Sequence, residues 1–127
     1  MSKYNSRKAV VDGITFDSGR EAERYAQLKL LQKAGKISGL SLQVRFDLLP
    51  AQYAETCGEF YTKGPKKGQP KRGKCIEKAV TYVADFVYCE NGRMIVEDAK
   101  GGRTKDYIIK RKLFRWRYGE DYEFREV

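Results

Sequence analysis

Apolar residues alternate with polar ones at Leu40, Leu42, Val44, Phe46 and Leu48 until Pro50, the period of a half-buried strand at an edge or outer sheet position. Two further strand-like stretches, Val80 to Cys89 and Arg93 to Lys100, flank Asn91-Gly92, the strongest short-range signal for a two-residue hairpin loop. Helical patterning appears twice. Ser18 and Glu21 match a capping box, good helix formers run on to about Gln32, and Gly35 is placed to stop them. Thr104 caps a second helix to about Tyr118, with Gly119 as its stop. On that helix Ile109, Leu113 and Trp116 form one stripe and Tyr107, Phe114 and Tyr118 another, which predicts packing on two sides with Trp116 in the core. Asp12-Gly13 marks a turn before a short strand, Ile14 to Phe16, and a last strand spans Tyr122 to Val127. Met1 to Val11 reads as a loose basic arm. Residues 62–74, TKGPKKGQPKRGK, are too rich in charge, Gly and Pro to build core and read as a flexible loop framed by a long hairpin.

The order strand, helix, several strands, helix, strand predicts a mixed α/β (α+β) fold, a central mixed sheet flanked by helices. At 127 residues the chain reads as a single domain, 1–127.

The hairpin makes relative positions computable. Partners across a two-residue Asn91-Gly92 loop have numbers with a constant sum, so Glu90 faces Arg93, Tyr88 faces Ile95, and Asp85 faces Asp98. Two opposed carboxylates about 5 Å apart at Cβ repel unless a positive group lies between them, and a divalent metal ion is the natural occupant. Lys100, two residues after Asp98, emerges on the same face. Glu97 points the other way and serves as an internal control. Tyr82, Phe86 and Tyr88 alternate with the site face and read as packing residues.

Charge sharpens this. Lys and Arg number 26 against 17 Asp and Glu, a net +9, which favours a polyanionic partner such as nucleic acid. Histidine is absent, which removes Ser-His-Asp and Cys-His hydrolysis and His-metal nucleases and leaves carboxylates and lysine to carry any catalysis. Cys57, Cys75 and Cys89 form no CxxC pair and suggest neither zinc nor a disulfide framework. No apolar run approaches the roughly 20 residues of a membrane span, so the expectation is a soluble protein of the cytoplasm with no membrane partner.

Asp85, then Asp98-Ala99-Lys100, resemble the PD-(D/E)xK nuclease signature. With FDSGREAERY, LQVRFDLLP, YVADFVY, VEDAKGG and KLFRWRYG, the chain is similar over nearly its whole length to a small phage-encoded, endonuclease-like family. The wider superfamily includes Holliday-junction resolvases and transposase-type end-cleaving nucleases. The resemblance implies a restriction-endonuclease-like core and Mg²⁺-dependent cleavage of DNA, with Mn²⁺ able to substitute. It implies Asp85 and Asp98 as metal ligands, Lys100 beside the attacking water, and Glu21 as a further ligand or water-orienting group. Ala84 stands where the motif has Pro, and Asp98 where Glu is commoner. Glu21 also has the capping role open to it, although on a helical wheel it falls between Tyr25 and Leu28, on the apolar side.

Lys66, Lys67, Lys71, Arg72 and Lys74 in the loop, with Arg103, Lys105 and Lys110 around the second helix, are the candidate DNA contacts, Lys110 equally a solvated residue. A small basic nuclease without a separate specificity domain suits recognition of DNA shape, which points to a homodimeric resolvase of branched DNA. A nicking or flap endonuclease and a non-catalytic nucleic-acid binder on the same fold are the alternatives.

Overall fold

The computed structural model describes residues 8–56, 58–99 and 104–127. The chain divides into two compact units, one of residues 1–46 and 82–127 and one of residues 47–81.

The first unit opens with β1 (Ala9–Val11) and β2 (Ile14–Phe16), an antiparallel hairpin pairing Ala9 with Phe16 and Val11 with Ile14. Asp12 and Gly13 adopt φ of 53° and 75°, the left-handed pair that a two-residue turn of this hand requires. Ala9–Val11 is thus a strand where a loose arm was expected, because Val10 and Val11 are β-branched and have Ile14 and Thr15 to pair with. The remainder of that arm, residues 1–7, lies outside the described residues.

Helix α1 (Gly19–Lys33) starts where the Ser18 hydroxyl accepts the Glu21 amide at 3.2 Å, and Gly35 turns the chain beyond it at φ 76°. The main sheet follows, with strand order β3 (Ser38–Leu49), β6 (Val80–Glu90), β7 (Arg93–Asp98), β8 (Tyr122–Glu126). β3 is an edge strand, and its even-numbered residues from Leu40 to Leu48 are the less exposed ones. β6 and β7 are antiparallel, paired from Glu90↔Arg93 to Phe86↔Glu97, the register expected from Asn91-Gly92. β7 and β8 are parallel, joined through α2 (Lys105–Tyr118), whose Thr104 hydroxyl accepts the Tyr107 amide at 3.1 Å.

Two apolar layers sandwich the sheet. Phe16, Ala22, Tyr25 and Leu28 pack with Phe86, Tyr88, Ile95 and Ala99 on the α1 side. The α2 layer is aromatic: Phe46 meets Phe114 edge-on at 5.0 Å, and Tyr82, Tyr118, Tyr122 and Phe124 complete the cluster. Phe86, Tyr88 and Tyr82 are buried, but Tyr82 does not point away from Asp98 as the alternation predicts: its hydroxyl donates to that carboxylate, because β6 changes faces between Tyr82 and Phe86.

Neither long strand keeps one alternation throughout. Leu42 packs on the α1 layer and Phe46 on the α2 layer, although residues four apart in an unbroken strand share a face. Gln43 lies between them at φ 52°, a left-handed conformation of the kind that bulges a strand and swaps its faces. β6 repeats the swap, with Tyr82 against Phe114 and Phe86 in the α1 layer.

Trp116 overturns its expected place: it is 79% exposed, and Ile109 is 56% exposed. α2 buries only Tyr107 and Phe114, because the aromatic stripe alone fills the space over the sheet.

The second unit holds a two-stranded ladder of β4 (Gln52–Tyr53) and β5 (Cys75–Glu77). The ladder continues outward through the Ala54 amide on Lys74 O, a Phe60↔Pro70 bridge and the Tyr61 amide on Gln69 O. This is the long hairpin frame of residues 62–74. Gly73 is obligatory there, since a Cβ would lie 2.0 Å from the Ala54 carbonyl oxygen.

Candidate functional site

Three acidic side chains gather where the start of α1 meets β6 and the end of β7. Glu21 is buried on the first turn of α1, Asp98 is 1% exposed at the last position of β7, and Asp85 is half-buried on β6. The Ser18 cap takes only the Glu21 backbone amide. Its carboxylate reaches away, with Oε1 accepting from Gln43 Nε2 at 2.9 Å. The face swap at Gln43 therefore has a local consequence: it aims an amide donor at a buried acid.

The carboxyl groups feel one another. Glu21 is raised from 4.5 to about 7, first by burial, then by the charges of Asp85 and Asp17, by a hydrogen bond with Asp85, and by the charge of Asp98. Asp85 Oδ2 accepts the Ala99 amide at 2.8 Å, which ties β6 to the chain just past Asp98. Asp85 and Asp98 are the next positions beyond the last laddered pair, Phe86↔Glu97. Asp98 Oδ2 accepts the Tyr82 hydroxyl at 2.6 Å. Burial and this bond to Asp98 hold the Tyr82 phenol well above its ordinary value.

Glu21 borders a cleft of about 270 Å³ that Asp17, Leu42 and Gln43 also line. A second cleft, about 370 Å³, lies beside Ala99 and carries Arg20 and Arg24. Carboxylate oxygens are the donors that hard divalent cations take. Among the described residues, no three acidic, Cys or His side chains stand close enough together to cage an ion as they lie. Lys100 and Arg103 fall outside the described residues.

Other expected residues are dispersed. Lys66, Lys67, Lys71, Arg72 and Lys74 are exposed in the second unit, and on α2 Lys105 is exposed while Lys110 is half-buried. Cys75 and Cys89 are free thiols.

Glu97 proves to be no neutral control. It is fully buried on the α1 side, where Arg24 grips it through Nε to Oε1 at 2.8 Å and Nη2 to Oε2 at 2.7 Å, and the Tyr88 hydroxyl donates to Oε2. Sequence reasoning also missed Gln43, Tyr82 and Arg24. Arg24, one turn beyond Arg20 on a charged helix, carried no distinguishing signal, whereas Tyr82 could have been found by weighing a tyrosine hydroxyl in an apolar strand as a donor in need of a partner.

The site thus belongs to a mixed α+β fold in which acidic side chains from the first turn of α1, the middle of β6 and the end of β7 come together. Residues 1–125 match the family described as protein of unknown function (DUF1064), and the chain belongs to that family. Searches of the curated proteins and of the solved structures each found no match. No helix among the described residues is long and apolar enough to cross a membrane.

Proposed function

We propose that the chain is a Mg²⁺-dependent endodeoxyribonuclease with a PD-(D/E)xK core, acting on branched DNA in phage recombination, a junction resolvase in its leading form. The observation that carries the reading is the grouping of Glu21, Asp85 and Asp98, two of them buried, in a protein of net charge +9, close enough that the two aspartates help to raise Glu21. Their oxygens suit Mg²⁺ or Mn²⁺, and a cation would relieve the repulsion that raises Glu21. When bound, the metal supplies Lewis acidity to the scissile phosphate and lowers the pKa of a water.

The chain's own residues do the rest. Asp85 on β6 and Asp98 at the end of β7 offer carboxylate oxygens, positioned by the Ala99 amide and the Tyr82 hydroxyl. Glu21, fixed by Gln43, is placed to orient a water and take its proton. Lys100 follows Asp98 by two residues and adds positive charge for the transition state. Symmetric cutting of two strands calls for a homodimer.

The test is a panel of labelled linear, nicked, flapped and four-way DNA, with matched RNA duplexes, incubated with Mg²⁺ or Mn²⁺. Wild type should cleave branched DNA, and Asp85→Ala, Asp98→Ala and Lys100→Ala should each lower the rate by at least about a hundredfold. Preferred cutting of flaps or single nicks would reassign the substrate. DNA binding without cleavage under either metal would leave a non-catalytic binder.

A further inference from the structure

The second unit carries aromatic rings with no place in a core. Tyr53 is 38% exposed and Phe60 53% exposed, and both line a groove of about 670 Å³ together with Lys71 and Arg72. The Arg72 guanidinium lies 4.3 Å over the Tyr53 ring, and Lys66 Nζ is 5.8 Å from the centre of the Tyr61 ring. The ladder from Gln52↔Glu77 to Phe60↔Pro70 holds these rings on a braced scaffold.

We propose that this hairpin binds single-stranded nucleic acid, stacking unpaired bases on Tyr53 and Phe60 while Lys71 and Arg72 track the phosphates. The inference rests on the nuclease reading for its substrate class and adds to it an unpaired segment. A duplex hides its base faces in its own stack and offers edges and phosphates, for which lysines alone suffice. Exposed rings beside cations, with Arg72 over only one face of Tyr53, match bases that are already unstacked. Glu55 and Glu59 line the same groove and repel phosphate there, which leaves the Lys71–Arg72 wall as the backbone path.

The full-length protein in EDTA is titrated by fluorescence anisotropy against labelled oligo-dT and oligo-rU of about 20 nucleotides and a duplex of equal length. Oligo-dT or oligo-rU should bind more tightly than the duplex. Tyr53→Ala and Phe60→Ala should each weaken single-strand binding roughly tenfold, leaving duplex affinity and salt slope unchanged, and Tyr53→Phe should restore it. Lys71→Ala with Arg72→Ala should weaken single-strand binding and flatten its salt slope by up to about 0.7 per contact. Thermal melts verify that each variant folds. Tighter duplex binding, or equal losses on both substrates in the ring variants, overturns the proposal. Mg²⁺-dependent cleavage of four-way and flapped DNA is followed in parallel. Cleavage with no single-strand preference sinks the hairpin proposal alone, and ring-dependent single-strand binding without cleavage sinks the nuclease reading alone.

Discussion

Glu21 sets the pH behaviour of the metal-free protein. Its carboxyl titrates at about 7 when folded against 4.5 ordinarily, so between those values the folded chain keeps a proton that the unfolded chain has lost. Its contribution to stability is complete below pH 4.5, declines as pH rises to 7, and is flat above. The loss amounts to at most about 3 kcal/mol, since each tenfold change in proton affinity is worth about 1.4 kcal/mol. Denaturant titrations of wild type and Glu21→Gln in EDTA between pH 4.5 and 8 should show the variant gaining relative stability across that window. Parallel curves would mean that Glu21 is not in the field of Asp85 and Asp98. The inward turn of Glu21 was legible in its place between Tyr25 and Leu28. Its partner was not, because Gln43 sits at a polar position of a regular alternation and no glycine marks its left-handed backbone.

Between elements, the forked Arg24–Glu97 pair joins α1 to β7, with Tyr88 of β6 as third member. Glu97→Ala strands a half-buried guanidinium and a buried hydroxyl, and should destabilise the fold by about 3 kcal/mol, visible as a fall of roughly 10 °C in Tm. Glu97→Gln, which fills the same space and keeps one of the two accepting oxygens, should cost less. A Tm unchanged in Glu97→Ala would show that the pair is incidental. Both helices, their Ser18 and Thr104 caps and the Asn91-Gly92 register were legible because caps and tight turns are local chemistry. The exposure of Trp116 was not. A two-stripe helix fits a sandwich equally well, and only the depth of the aromatic layer decides that one stripe suffices.

At the scale of the molecule, the mixed sheet followed from the order of elements, and the parallel β7–β8 pair follows from the helix that must intervene between them. The separation of residues 47–81 as a unit was less visible, since its ladder is built from backbone bonds around Gly73 and Pro70 that leave no apolar period to read. The central claim is that the acids brought together by α1, β6 and β7 form a metal site. Asp98→Asn is the discriminating variant, because its amide oxygen can still accept the Tyr82 hydroxyl while the charge is gone. Thermal melts with and without Mn²⁺ test the claim before any substrate is known. At 100 times its dissociation constant, Mn²⁺ should stabilise wild type by about 2.7 kcal/mol, and Asp98→Asn should lose most of that gain. Equal shifts in the two proteins would contradict the account.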